Sequence, residues 1–482
     1  MSKRLIIIIA VAFVLGLAVS AHAAVQNVKV SGDLKVSAIG RSGFDLGDAD
    51  GEDESNVIMS QTRVRIDTDL TENVSATVRL LNERDWGKEV QTSTNVDVAG
   101  GASLSENGQD DNEVDIDLAS LTMKEMFDSP VSVTLGRQEL MWGAGFVLGD
   151  SDTNRTSLTN YGAGYAAIAN RDLSLRKAFD AVKVNLDYDP LMIEAFYSKI
   201  DENQKTGAQL EDKNDIDLYG AKASYALGDK WGTMLETYLL YRNDKTPTSG
   251  SINATPDTLW CPGIRAVAAP MKDMIVTAEM AWQTGSKAVT AAGPSRSREA
   301  MAYQVTGSYA LPFEKLKKYS PSIGAHMSYY SGDKNPADGT DGRGEYRAWD
   351  QLYENQGTGK IYNVLFDATN TRAFGFNASA VPMEDLSVKL EYTDVYLAVE
   401  PPGTHGVSVL TIYGIDGNSR TPVMTGDNQH LGREFDLSAV YDYTEDVQFG
   451  LTYGAFIPGA AFDQDHNHEV ATQLIGTCAV SF

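Results

Sequence analysis

Between Thr62 and Leu70 the chain alternates strictly: Thr62, Val64, Ile66, Thr68 and Leu70 fall on one face of an extended strand, Arg63, Arg65, Asp67 and Asp69 on the other. Successive side chains of a strand point to opposite faces, so the pattern predicts a strand with one apolar and one charged side. A turn at Thr71-Glu72-Asn73 leads into Val74, Ala76, Val78 and Leu80, opposed by Ser75, Thr77 and Arg79, and the two segments read as a hairpin. The unit recurs. Trp231 to Tyr241, Met274 to Trp282 and Val447 to Ile457 alternate in the same way, with Glu236, Arg242, Glu279, Gln283, Gln448 and Thr452 on their polar faces. Val28 to Ala38 is the first such strand. The last runs from Val470 to Phe482, with Leu474, Cys478, Val480 and Phe482 facing away from Gln473, Thr477 and Ser481.

Short turns lie at Asp128-Ser129-Pro130, Asp189-Pro190, Gly228-Asp229-Lys230, Pro270 to Asp273, Pro312 to Tyr319, Pro382 to Asp385 and Thr444-Glu445-Asp446. Between the hairpins run long polar, Gly-, Asn- and Asp-rich connections, around residues 85–111, 142–177, 202–213, 244–256, 286–297, 332–370, 398–430 and 458–468. Strands long enough to cross a bilayer, roughly 9 to 11 residues, with short turns on one side and long loops on the other, predict an all-β fold: an antiparallel transmembrane β-barrel. A soluble sandwich or propeller has shorter strands and no such asymmetry of loops. The eight hairpin turns with the first and last strands give about eighteen strands, and Lys360 to Phe366 is a candidate for one more. Pairing of the last strand with the first removes both exposed edges.

The N-terminus adds the compartment. Lys3 and Arg4 precede an apolar run from Leu5 to Val19, and Ala21-His22-Ala23 follows as a small-x-small site, which predicts a signal peptide over residues 1–23 and a mature barrel domain over 24–482. The run is short for a spanning helix, which needs about 20 residues. With Lys+Arg 40 and Asp+Glu 66 the net charge is -26, and loss of Lys3 and Arg4 makes the mature chain more acidic still. Nucleic acid is a poor partner for such a surface. The expected surroundings are outer-membrane lipid and lipopolysaccharide, in a bacterium of the Gram-negative type. Cys261 and Cys478, the only two cysteines, lie far apart in the strand order and are not expected to bridge.

A barrel of this size encloses water, and the inward side chains set its selectivity. By parity Arg63, Arg65, Arg79, Lys183, Arg242, Glu236 and Glu279 line the lumen. Arg63, Arg65 and Arg79 share one hairpin and can make a basic ladder that offers planar forks to a solute carboxylate. Arg137 has the parity of Val131, Val133 and Leu135, and faces the lumen only if Gly136 marks a bulge. The 142–177 connection carries Arg155, Arg171 and Arg176 among glycines and aromatics, and is a candidate constriction loop. No metal site is expected. Asp333, Asn335, Asp338 and Asp341 do not match a calcium loop, and Asp463, Asp465, His466, His468 and Glu469 read as a solvated loop tip. His326 and Ser328 share a strand face without an orienting third group, so neither an enzyme nor a cofactor is expected.

Several patches resemble the alginate-export family of outer-membrane porins: Leu135-Gly136-Arg137-Gln138 with Gly143 and Gly145, Phe179-Asp180-Ala181-Val182, Leu431 to Leu437, and Gly454 to Phe462. That resemblance implies an eighteen-stranded monomeric barrel with an arginine-rich channel for acidic polysaccharide, and Arg137 is the residue it carries over most directly. The expected function is passive passage of polar solutes, with anionic sugars or oligosaccharides as the solute class. The other reading is a structural sheath or docking shell for periplasmic or surface partners, such as an electron-transfer conduit whose redox centre comes from another chain.

Overall fold

The computed structural model of the chain describes residues 27–47, 54–86, 114–151, 171–201, 215–245, 256–288, 295–334, 344–355, 359–400, 428–462 and 468–482, with residues 410, 412, 413, 419, 420, 422, 424 and 425 between them. In chain order the strands are β1 (Asn27–Ser42), β2 (Ser55–Thr71), β3 (Val74–Asp85), β4 (Asp115–Met123), β5 (Val131–Glu139), β6 (Ala178–Tyr188), β7 (Leu191–Asp201), β8 (Ile216–Ala226), β9 (Met234–Asp244), β10 (Asp257–Ala268), β11 (Met274–Lys287), β12 (Arg296–Ala310), β13 (Ser322–Tyr330), β14 (Glu345–Tyr346), β15 (Thr371–Met383), β16 (Leu386–Leu397), β17 (Ile412–Tyr413), β18 (Ser419–Arg420), β19 (His430–Asp442), β20 (Val447–Pro458) and β21 (Ala471–Ser481). All but the two-residue strands β14, β17 and β18 form the wall, which is therefore eighteen-stranded.

Each wall strand pairs antiparallel with the next, β13 pairing with β15 and β16 with β19 across the long connections. The wall closes where β1 meets β21, in a register that sets Leu34 opposite Val480 and Val36 opposite Cys478. Reciprocal bonds between the backbones of Gly32 and Phe482, 2.9 and 3.0 Å, end that seam. Closure pairs the N–H and C=O groups of the first and last strands, which hydrocarbon cannot solvate.

The burial pattern is inverted relative to a water-soluble fold. Val30 is 58% exposed and Leu451 51%, while Gln61 and Glu434 are wholly buried. The exposed apolar set is the face that the alternation assigns to lipid, and the charged set lies within the closed wall. On the outer face Tyr197, Tyr219, Tyr241 and Trp260 stand in register across β7 to β10, with ring centroids 5.0, 6.0 and 4.2 Å apart. Tyr303 with Tyr329 and Tyr392 with Phe435 carry the aromatic row onward around the wall. Such a band belongs at the boundary between hydrocarbon and headgroups, where an amphipathic ring is best solvated.

The short turns fall where the pattern predicts. One segment differs: Lys360 to Phe366 adds no strand and instead contains the one-turn helix Tyr362–Leu365. The Glu434 carboxylate accepts from the backbone N–H groups of Lys360, Ile361 (2.7 Å) and Tyr362 (2.7 Å), which satisfies donors that a helix start leaves open. Tyr362, Leu365 and Phe366 then bury their side chains in a cluster with Phe44, Leu46, Phe456 and Phe462. Spacing of three and four suits a helical turn and not a strand.

Leu451 points into lipid between Phe449 and Tyr453 of the same face. Leu451→Arg is expected to cost about 2–4 kcal/mol of folding free energy in a bilayer, read from urea unfolding in lipid vesicles. Thr452→Arg, one residue on and facing the lumen, is expected to leave that free energy nearly unchanged.

Candidate functional site

After β5 the chain turns inward. Leu140, Trp142, Phe146, Val147 and Leu148 leave the wall and pack inside the barrel against inward side chains of β6 to β13. Trp142 lies 5.4 Å from Phe196 and 5.5 Å from Tyr238, ring to ring, and its indole N–H donates to Glu194. A second limb, residues 349–355 between β14 and β15, enters from near the opposite side of the ring of strands. Tyr353 N donates to Val147 O (3.1 Å), Gly149 N to Tyr353 O (2.7 Å) and Asn355 N to Gly145 O (2.8 Å). The two limbs are thus one hydrogen-bonded insert. Burying each of Trp142, Phe146, Trp349 and Tyr353 contributes on the order of 1.5–3 kcal/mol, enough to hold the insert in place without a covalent tie.

Asp350 at the tip of the second limb fastens it to the wall. Its carboxylate accepts from Arg242 at 3.0 and 3.1 Å, and lies 2.9 Å from Arg298 and 3.4 Å from Lys287. Gln283 brackets its backbone, accepting from Asp350 N at 2.8 Å and donating to Asp350 O at 2.6 Å. Asp257 supplies the second negative charge, 3.5 Å from Arg242 and 3.4 Å from Lys287, and also bonds Arg298. Burial opposes the charge on Asp350, yet Arg242, Lys287 and Arg298 outweigh it and hold the carboxyl well below the usual carboxylate range.

The return of this same connection lies along the inner wall of β1 to β4. Arg41 grips Asp172 at 2.7 and 2.9 Å, and Glu83 accepts from Ser174 Oγ (2.8 Å), Leu175 N (2.7 Å) and Gln61 Nε2 (2.6 Å). Of the three arginines expected in a constriction, Arg155 lies outside the described residues and Arg171 is described only as backbone of the short turn Arg171–Leu173. Arg176 reaches the wall and pairs with Asp115 and, at 3.5 Å, with Glu83. Among the described residues of this connection, Trp142 and Phe146 are the large side chains that pack inside the barrel, and Arg176 lies against the wall.

The hairpin arginines come together as the alternation predicts, Arg65 directly opposite Arg79 in the β2–β3 register. Each has its own carboxylate. Arg63 Nε lies 2.9 and 3.1 Å from the two oxygens of Asp33, and Arg65 binds Asp67 at 2.8 and 2.9 Å. Arg79 is buried between Asp117 and Glu139, both at 2.5 Å, Asp117 being turned in where a bulge in β4 opposes Arg79 and Leu80. Glu236 pairs with Arg265 and, at 3.9 Å, with Lys222, and Glu279 accepts from Tyr238 Oη at 2.9 Å. Lys183 faces inward opposite Phe196 and makes no ion pair among the described residues.

Arg137 is placed otherwise. The register runs unbroken through Gly136, whose φ of +108° bends the strand without inserting a residue, so Arg137 stays on the face of Leu135 and Val182. There it pairs with Asp180 at 3.1 Å on the outside of the barrel, and lines no pore. Arg265, Lys287, Arg298 and Asp350 enter the site unannounced. The first three carry the same parity signal as Arg242, and Asp350 carries none, since a loop has no alternation to read.

Asp350 titrates below its unfolded value, so its contribution is complete above about pH 5 and is lost only as the pH falls below the ordinary carboxylate value of about 4. The Asp350 tether is therefore expected to hold between about pH 7 and pH 5, read as unchanged protection of the insert from limited proteolysis across that range. Asp350→Asn removes the tether and weakens the insert by about 3–5 kcal/mol, and higher conductance with a noisier open state is the expected recording at neutral pH.

The family model for alginate export matches residues 26–474. No curated protein matches the sequence. Among solved structures the chain is similar to OccK2 (OpdF) of Pseudomonas aeruginosa in complex with glucuronate, at 9% identity and TM-score 0.51, covering 95% of this chain and 99% of that one. It is similar to OpdK of Pseudomonas aeruginosa with vanillate, at 12% identity and TM-score 0.51, covering 95% and 100%. A BenF-like porin from Pseudomonas fluorescens Pf-5 aligns with TM-score 0.53 at 10% identity, again over 95% and 100%. At such identities the structural likeness speaks for the fold, a closed antiparallel barrel of the porin kind. With the family match spanning almost the whole sequence, the chain belongs to the alginate-export family of outer-membrane β-barrel porins, and its place is the outer membrane.

Proposed function

We propose that the chain is a passive channel for small polar solutes that carry a carboxylate, with sugar acids and short acidic oligosaccharides as the class that fits best. The observation that carries the reading is the state of the inward cations on β1, β2 and β6. Arg63 spends only its Nε on Asp33, which leaves the terminal nitrogens of its fork for a solute. Lys35 and Lys183 make no ion pair among the described residues. Three cationic donors that are not consumed by the wall are what a passing carboxylate needs, because it can exchange water for charge-assisted bonds and leave again. The complexes of OccK2 with glucuronate and OpdK with vanillate support the same class.

The insert narrows the lumen and so favours solutes over folded partners. A sheath around another protein needs a bore free of its own chain, and Trp142, Phe146 and Trp349 occupy it. Arg79 belongs to the support of the site and not to its solute face, since both its carboxylates are committed and its side chain is buried.

The test replaces the available cations and spares the buried one. Lys35→Gln with Arg63→Gln is expected to shift the reversal potential in a KCl gradient toward cations and to slow liposome swelling in glucuronate several-fold. An unaltered reversal potential with unaltered swelling would remove these residues from the path.

A further inference from the structure

Opposite the cationic strands the wall has a different chemistry. Gln304, Thr306 and Ser308 of β12, His326 of β13, Asn377 of β15 and Glu391 of β16 line a recess of about 350 Å³, roofed by Gly145 and Phe146 of the insert. Its size lies at the small end of ligand sites, roughly 300–1,000 Å³, which suits one ring and not a folded chain.

Around most of the lumen the inward polar groups are spent on each other. Here they are not. Gln304, Thr306, Ser308 and Asn377 make no hydrogen bond through their side chains among the described residues, and His326 Nε2 is buried without a partner. The two amides and two hydroxyls at this wet wall are paired with water, and a ligand hydroxyl can replace that water at little cost.

The recess is also shaped. His326 and Asn377 each lie across a glycine of the neighbouring strand, in the registers His326–Gly375 and Gly324–Asn377. A Cβ on Gly375 would stand 2.0 Å from His326 Cε1, and one on Gly324 2.7 Å from Asn377 Nδ2. The two glycines leave room for the imidazole and the amide to lie against the neighbouring strand, so that neither side chain fills the cavity. Glu391, paired with Lys389 at 2.8 Å, is the one carboxylate among the lining residues. It accepts from a hydroxyl and repels a second carboxylate.

We propose that this recess is a subsite for the uncharged, hydroxyl-bearing face of a sugar ring, so that the channel binds neutral monosaccharide as well as the acids that the opposite wall attracts. The inference rests on the channel reading and extends it to a second solute class. Donors (Gln304, Asn377), hydroxyls that act both ways (Thr306, Ser308) and an acceptor (Glu391) match the mixed demand of a polyol better than the ion-paired wall opposite does.

Planar-bilayer recordings with D-glucose and D-glucuronate as blockers test it. The wild type is expected to show current interruptions with both sugars. The variant Gln304→Leu with Thr306→Val and Asn377→Leu is expected to weaken the glucose block by about tenfold or more and to leave KCl conductance and the glucuronate effect of Lys35 and Arg63 in place. Gly324→Ala, which displaces only the Asn377 amide, gives a smaller loss in the same direction and covers a failure of the triple variant to assemble. Glu391→Gln is expected to strengthen glucuronate block. Absence of glucose block in a conducting wild type, or glucose block indifferent to both the triple variant and Gly324→Ala, overturns the subsite while the channel stands. A wild type that conducts no ions overturns the channel and the subsite with it.

Discussion

Hydrocarbon offers no partner to an N–H or a C=O, and that constraint orders everything else in this molecule. An open sheet would leave its first and last strands with a row of unmade hydrogen bonds, each worth several kcal/mol in such a medium. The seam between β1 and β21 removes that row. Once the wall is shut, each side chain has only two destinations, lipid or lumen, and the sorting of Val30 from Gln61 follows from the pleat alone. The charges of the described strands are tolerable for the same reason: those that would be ruinous against lipid stand on the inner face or against a neutralising partner.

Within the lumen, charge pairing does two jobs that are easily confused. Arg79 with Asp117 is a buried support, because removal of either would strand the other away from water. Arg63 against Asp33 is partly exposed, at 25% and 32%, and leaves donors over. Both belong to the same hairpin and the same parity class, and only the depth of each separates brace from binding surface. Arg65 opposite Arg79 would be a repulsive pair in isolation; separate carboxylates on each make the arrangement stable.

Much of the wall was readable from alternation, because a barrel strand obeys a single rule along its whole length and the rule needs no knowledge of neighbours. Arg63, Arg65, Arg79, Lys183, Arg242, Glu236 and Glu279 all sit on the inward face for that reason. Arg137 did not follow the more optimistic reading: a glycine with positive φ invites a bulge, but the strands on both sides keep step through Gly136. The insert was only partly foreseen. Alternation ends at Glu139, and the docking of Trp142 on Phe196 or of Asp350 on Arg242 depends on strands far away in sequence. The glycine-for-polar exchanges at His326–Gly375 and Gly324–Asn377 were invisible until the register between β13 and β15 was known.

The insert's two limbs leave the wall at two places, after β5 and between β13 and β15, and are bonded to each other through Val147, Gly149 and Tyr353. Mechanically it is a girder resting on two piers, not a trapdoor on one hinge. A girder does not swing: it sags, or it detaches at both ends together. Opening of the bore by a voltage, a solute or heat would therefore arrive in one cooperative jump, and neither limb could be loosened without the other registering the strain.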